Sequence, residues 1–453
     1  MKLKKISLFL LANIIGLTVM AEGYQLNTQS ARQLGMGHLG TALKLGGESM
    51  LFNPAGLSFM NGKVDISLGA TGVFSKVTYT SGTYTAQTDN PTGTPLFGYI
   101  GVKVVKNLYA GISITNPAGN SLFWPDNWNG SHFVQNISLK AFSVQPTISY
   151  KFSDKFSIGA GVMVDFGDFE YNKGLMPVNG LNGYLASPVF PSAYKTIITN
   201  ASGMSPVSAN LSGKASPAVG FNVGILYSPN ERWSIGLSYR SKVMLKVNEG
   251  VTVLNYATPE LKSLMRTLSI APASTNPLYN PSVATVTSLD GESFTSELPV
   301  PSNTNLGVAF KATKKLLLSA ELQYVGWKAY DTLKIVFPNI TSVTPKNFKN
   351  TMIYRIGAEY KACEKFTARM GFIYDSTPVD LNQYGPESPG SNKMSVTVGA
   401  TYQVFKAMAV DLGFQFNNGQ KTTGKIIQNG VTVLGGDFKT IAFLPSFGLR
   451  FNF

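Results

Sequence analysis

Two histidines, His38 and His132, and one cysteine, Cys363, are the only imidazoles and the only thiol in this chain of 453 residues. The histidines lie far apart and no cysteine pair accompanies them, so a zinc site has almost no support. A lone cysteine also excludes an intramolecular disulfide. A nucleophilic serine needs a base within hydrogen-bond reach. The only pairing on offer is Ser131-His132, and neighbours on a strand face opposite ways. What remains is the chemistry of charge recognition. Arg240, Lys242, Arg355 and Arg369 fall on the polar phase of alternating segments, and Lys328 lies near the outer end of one. Such cations can receive a ligand carboxylate. They can also pair with acids of the same wall. Arg355 and Glu359 share one face, Arg369 and Asp375 the same face of the next segment, and a mutual ion-pair network is the favoured reading.

The elements that carry these residues are strands. In the last fourteen residues every second position is apolar: Ile441, Phe443, Pro445, Phe447, Leu449 and Phe451. The intervening set, Ala442 to Asn452, is smaller and more polar. Alternate residues of a strand face opposite sides, so one face is greasy and the other wet. With the aromatic end at Phe453, this is the pattern of a closing strand whose apolar side meets lipid and whose polar side meets a lumen.

The other end predicts the same compartment. Lys2, Lys4 and Lys5 precede an apolar run from Ile6 to Met20, and Val19 and Ala21 give a small-residue cleavage site. This is the layout of a secretory signal peptide over residues 1–21. The run is short for a helix that must cross ~30 Å of hydrocarbon. No later segment is apolar enough to be a membrane helix, which leaves a closed barrel as the spanning structure. Charged residues make up 14% and aromatics 11% of the chain, against a soluble norm of ~25% charged. The net charge of +14 comes from lysines set singly in turns and loops. They read as solvated surface, some able to attract acidic lipid heads or anionic ligands, and not as a nucleic-acid patch.

The alternation predicts about fourteen strands over residues 62–453, an all-β transmembrane antiparallel barrel. It is clearest at Met394–Val404, Met352–Tyr360, Phe366–Tyr374 and Phe156–Phe166. Other starts fall near Phe133 and Asn347. Short polar turns, such as 103–107, 153–155 and 312–315, alternate with long segments near 171–207 and 251–291. Short turns at one end and long loops at the other is the barrel habit, and an even strand count closes the sheet without an edge. Residues 22–61 have no period-2 run, are glycine-rich and carry Met50, Leu51, Phe52 and Leu57. Exposed apolar clusters are disfavoured, so this segment is expected to fold into the lumen as a hatch.

At this point the chain resembles the FadL-type outer-membrane transporters of long-chain fatty acids and hydrophobic compounds. Gln25-Leu26-Asn27-Thr28-Gln29-Ser30-Ala31 and Asn53-Pro54-Ala55 are similar to the family's hatch signature. Trp128-Asn129-Gly130, Gly236–Lys242, Leu298-Pro299, Gly326–Asp331 and Tyr374–Val379 are similar to family segments in the expected order. The match lapses at Leu45-Gly46-Gly47-Glu48, where family members often carry an acidic pair.

The resemblance implies passive uptake without cofactor or energy source. A hydrophobic ligand lands in a groove between two long outer loops, enters a pocket beside the hatch, and leaves sideways through a gap in the wall. The two longest loops carry Leu175, Met176, Leu181, Tyr184, Leu185 and Phe190, and then Leu261, Leu264, Met265 and Leu268 at i, i+3, i+4, i+7 on a predicted helix. They either form that groove or simply pack together as a cap. The third strand ends in Asn116-Pro117-Ala118-Gly119, where the missing proline donor and the glycine favour an interruption. That places the lateral opening there, unless it is only the start of the next loop. The resemblance further implies an outer-membrane monomer, and Phe453 would address the barrel-assembly machinery. A general diffusion porin and an outer-membrane phospholipase using His132 stay open as alternatives.

Overall fold

The computed structural model describes residues 23–453 apart from 272, 273 and 429, so the signal-peptide reading lies outside the described residues. Twenty-two strand segments join in one antiparallel sheet. Breaks within single crossings reduce them to 14 barrel strands. The first seven are β1 (Val64–Thr71 and Phe74–Ser81), β2 (Tyr84–Gln87 and Leu96–Lys103), β3 (Leu108–Thr115 and Gly119–Phe123), β4 (Asn136–Ser153), β5 (Phe156–Gly174), β6 (Val207–Tyr227) and β7 (Trp233–Arg240 and Val243–Tyr256). The rest are β8 (Ser293–Val300 and Asn303–Lys311), β9 (Leu316–Val325 and Thr332–Val336), β10 (Thr341–Pro345 and Thr351–Lys361), β11 (Phe366–Asp375), β12 (Lys393–Phe405), β13 (Met408–Gly419 and Thr422–Gln428) and β14 (Val431–Asn452). The sheet closes where β1 meets β14, from Asp65 opposite Asn452 to Thr71 opposite Ser446. The starts fall within a few residues of the alternation. β4 begins at Asn136 rather than Phe133, and Asn347 falls between the two segments of β10.

Burial follows the period-2 pattern with the sense a membrane imposes. Phe443, Phe447, Val396 and Met370 face outward and are exposed, whereas Ser446, Ser395 and Thr397 face inward and are buried. Apolar side chains meet lipid and the wall's polar side chains meet whatever fills the lumen. No described helix is long and apolar enough to cross a membrane.

The lumen is filled by residues 24–60, among them short helices at Ala31–Leu34, Ser49–Phe52 and Pro54–Phe59. Inward-facing glycines of the wall allow this segment to lie against the strands by its backbone. A Cβ at Gly236 would sit 1.9 Å from the Thr41 carbonyl oxygen, and one at Gly371 2.4 Å from the Gly37 nitrogen. Gly413 stands the same way beneath Ala31 and Gly159 beneath Pro54, while Gly224 makes room for the Asn53 side chain. These glycines lie on β5, β6, β7, β11 and β13, so the seat runs around much of the circumference. Only a residue without a side chain permits such an approach.

Candidate functional site

The break anticipated in β3 is real, and the N-terminal segment occupies it. β2 pairs with β3 only as far as Ile114. Past that point the edge of Ala118 is met by Gln25 in an isolated antiparallel bridge. Leu26 N donates to Pro117 O at 3.1 Å and Gly119 N to Tyr24 O at 2.8 Å. Asn116 bridges the interruption with its side chain. Its Nδ2 donates to Ala141 O at 2.8 Å and its Oδ1 accepts from Leu96 N at 2.8 Å. Gln29 Nε2 donates to Asn116 O at 2.8 Å. Residues 24–26 thus add a short strand to an edge that would otherwise stand unpaired.

The remaining signature residues hold the segment in place. Asn53 caps the Pro54–Phe59 turn by accepting from Ala55 N at 3.1 Å, with Pro54 at the first helical position, where its missing N–H costs nothing. Its Nδ2 donates to Thr41 O at 2.7 Å and to Ile225 O of β6 at 2.9 Å. Ala55 O accepts from Ser149 on β4 and Ser157 on β5. Where the family match lapses, Gly47 N donates to Asp65 at 2.9 Å, and Glu48 pairs with Arg32 at 2.9 Å and accepts from Ser67.

Beside the strap of residues 24–26 lies a polar cavity. Gln25, Leu26, Asn27, Pro117, Arg240 and Asn303 are among its lining residues. It has room for about 70 Å³, well short of the ~300 Å³ at which small-ligand pockets begin. Arg240 reaches it from the inner face of β7. Among the described residues both of its terminal nitrogens are buried without a hydrogen-bond partner, and so is Oδ1 of Asp165 on the same cavity wall. A buried guanidinium with open donors is suited to an incoming carboxylate.

The other predicted cations behave differently. Arg355, which also lines the cavity, pairs with Glu321 at 3.2 Å through Nη1 while its Nε and Nη2 are buried without a hydrogen-bond partner among the described residues, and Glu321 in turn accepts from Thr41 N at 2.9 Å. Arg369 pairs with Glu359 at 2.7 Å, directly across the β10–β11 ladder. The ion-pair reading therefore describes both arginines, with the partners changed. Arg355 takes Glu321 rather than Glu359, and Asp375 pairs with Lys393 at 3.4 Å rather than with Arg369. Lys242 is a correction. The chain breaks after Arg240, so that Ser241 is buried and Lys242 points outward, exposed. Lys328 sits exposed on an outer turn, where its backbone N donates to Asn350, and does not line this cavity.

The two long loops pack on one another. The predicted helix forms over Pro259–Ser269, capped by Thr258, and buries Leu261, Leu264, Met265 and Leu268. They share one core with Leu181, Phe190, Ile198 and Val283, while Leu175, Met176 and Tyr184 pack at its edge. Tyr184 stacks on Phe190 at 4.6 Å and accepts from Asn280 Nδ2 at 2.5 Å. The face expected to form a groove is filled by the opposite loop.

Ser131 Oγ and His132 Nδ1 are both buried without a hydrogen-bond partner among the described residues, so nothing there joins a serine to a base. Burial, aided by the Lys173 ammonium, pushes the His132 pKa down. His38 belongs to the lumen segment, where its Nε2 lies 3.2 Å from Gln29 Oε1. Asp165, Asn222, Asn303 and Glu321 line the cavity without having been singled out in sequence. The only available signal was their polar phase on an alternating strand.

Comparisons with known proteins fit this geometry. The family model for outer membrane protein transport proteins (OMPP1/FadL/TodX) matches residues 12–453. Outer membrane protein P1 of Haemophilus influenzae is 23% identical over 320 residues, covering 67% of this chain and 61% of that protein. The long-chain fatty acid transport protein of Salmonella typhi is 23% identical over 416 residues, covering 90% of each. For the first curated relatives it matches, the chain spans only 50% to 61% of their length. Among solved structures, a Pseudomonas aeruginosa FadL homologue superposes with a TM-score of 0.77 at 20% identity, over 95% of this chain and 100% of that one. The P. putida toluene transporter TodX gives 0.67 at 15% identity, over 94% and 99%. At such identities the structures speak for the fold.

Proposed function

The chain belongs to the outer membrane protein transport protein family (OMPP1/FadL/TodX), and from that premise we propose that it carries long-chain fatty acids or other hydrophobic small molecules passively across the outer membrane. It is an outer-membrane β-barrel and not an enzyme. The observation that carries the proposal is the strap. Residues 24–26 close the interruption of β3, and two of them, Gln25 and Leu26, at the same time line the cavity into which Arg240 projects.

In this reading the packed outer loops part to admit the ligand, with Leu261, Leu264, Met265 and Leu268 as the greasy face it meets. The ligand then enters beside residues 24–60, acting as the hatch. A carboxylate, where there is one, is received by Arg240. At about 70 Å³ the cavity is in a closed state, so entry requires the strap to leave the β3 edge. That same departure opens the wall at Asn116-Pro117-Ala118-Gly119 and releases the ligand sideways into the bilayer. One motion thus enlarges the pocket and opens its exit. The barrel works as a monomer, and the exposed Phe453 addresses the assembly machinery.

The test is a reversible lock. Gln25 and Ala118 bridge as a pair with hydrogen bonds on either side, a geometry in which cross-strand side chains come closest. Cysteines at both positions, with Cys363→Ser, join the strap to β3 on oxidation. Uptake of labelled long-chain fatty acid by cells lacking their own transporter is expected to stop when the lock is oxidised and return on reduction. Equal uptake by the oxidised and reduced forms would place the exit elsewhere.

A further inference from the structure

The charge of this barrel is gathered at one end. Lys103, at the end of β2, and Lys106 flank the turn to β3, Lys151, near the end of β4, and Lys155 flank the turn to β5, and Arg232 stands between β6 and β7. Lys311, at the end of β8, is followed by Lys314 and Lys315 before β9, Lys361, at the end of β10, by Lys365 before β11, and Lys406 stands between β12 and β13. Lys151 is half-buried and the others are exposed. Lys63 joins them where the chain enters β1 against Phe453. Lys44 joins from the underside of the lumen segment, sharing the Phe59 ring with Lys151 at 4.1 and 5.8 Å. The acids at this end are Asp154, Glu231 and Glu364. Two already have partners, Lys151 at 3.0 Å and Lys361 at 3.1 Å. Most of the formal net charge of +14 therefore sits on the short-turn rim.

Immediately beside these bases, Phe152, Trp233, Tyr360, Phe366, Tyr402 and Phe405 project outward and are exposed. Aromatic residues in such a band mark the level where hydrocarbon gives way to headgroups. The turns span only a few residues, so their ammonium groups cannot reach far beyond that layer. Bases occur on every short turn of the circumference rather than on one side, which suits a ring of lipids and not a partner protein seated on a patch.

We infer that the short-turn rim is a binding ring for anionic phospholipid headgroups of the periplasmic leaflet. The phosphate groups meet the turn lysines while the acyl chains lie along the outward aromatic and aliphatic face. Each base near an anionic surface adds roughly a fivefold bias, and the attraction falls as salt shortens the screening length to ~3 Å at 1 M.

The test reconstitutes the full chain with an equal mixture of phosphatidylglycerol and phosphatidylethanolamine and measures the lipids retained after detergent extraction. Several-fold enrichment of phosphatidylglycerol in low salt, lost at 1 M salt, is expected. Lys106→Glu, Lys155→Glu, Lys314→Glu and Lys365→Glu together, one exposed base on each of four turns, should abolish the enrichment. Lys195→Glu with Lys262→Glu on the outer loops should leave it intact. Heat-modifiable gel mobility checks that each variant is a folded barrel, and the salt series on the native chain does not depend on any variant. Equal retention of the two lipids overturns the inference, as does enrichment that survives the four reversals.

Discussion

The closeness of the lumen segment to the wall makes one glycine a sharp probe. Replacing Gly236 with alanine places a Cβ 1.9 Å from Thr41 O, 2.6 Å from its carbonyl carbon and 3.0 Å from Ala42 N. All three are backbone atoms, so no side chain can swing aside. Restoring an ordinary contact near 3.4 Å moves Thr41 by about 1.5 Å. Thr41 O accepts from Asn53 Nδ2 at 2.7 Å, and Thr41 N donates to Glu321 at 2.9 Å. A shift of that size breaks both. The neutral bond contributes about 1 kcal/mol and the bond to the carboxylate about 2 kcal/mol, and overpacking adds about 1–3 kcal/mol. Docking of the segment should weaken by about 4–6 kcal/mol, three to four powers of ten in the docked-to-undocked ratio. The wall ladders themselves are untouched. The measurement is ion conductance of single barrels in a planar bilayer, with heat-modifiable gel mobility to confirm that the barrel has formed. Gly236→Ala should conduct where the native chain is closed. Gly98→Ala is the control, because a Cβ there meets nothing within 4 Å. A closed Gly236→Ala barrel, or equal leakage through Gly98→Ala, would refute the reasoning.

Three other outcomes follow from the site. Arg240→Met removes the open guanidinium donors, each charged hydrogen bond being worth about 1.5–3 kcal/mol; uptake of a fatty acid should fall at least tenfold while uptake of a neutral aromatic hydrocarbon holds, and an equal fall in both would deny Arg240 a role in carboxylate recognition. Leu264→Asp with Met265→Asp puts two carboxylates into the shared loop core and should weaken fatty-acid uptake and expose both loops to protease. Normal uptake by the assembled double mutant would remove the loops from the path. His38 is buried against Phe52, and burial, then the Arg355 charge, lower its pKa well below 6.5. The undocked segment therefore takes up the proton more readily, so His38 favours docking above pH 6.5 and that contribution fades as pH falls below it. Hydrogen-exchange protection of residues 31–41, taken relative to the intrinsic exchange rate at each pH, should fall between pH 7 and pH 4.5, and protection that does not change with pH would show that His38 stays buried and neutral throughout.

Much of the wall was legible because period-2 alternation is enforced along every crossing by two different solvents. The interruption of β3 could be read from Pro117 and Gly119, which weaken pairing by their own covalent structure. The covering strap could not, since Tyr24–Leu26 and Ala118 are distant in sequence and meet only through the closed wall. Lys242 shows how the phase fails. One break after Arg240 reverses which side faces in, and alternation cannot detect a reversal shorter than its own period. The amphipathic helix at Pro259–Ser269 was plain from its spacing, yet spacing alone did not distinguish a ligand groove from a cap, because both bury the same face. The seat of glycines was invisible for a simpler reason: a residue without a side chain carries no hydropathy signal, and its meaning lies in what approaches it.

That seat also has a history in time. Residues 31–59 leave the ribosome before any strand they touch, and Ala31 ends up against Gly413 of β13 and Gly448 of β14, near the last hairpin to be made. The lumen segment thus touches both the first and the last strands of the wall, on the two sides of the seam where β1 meets β14.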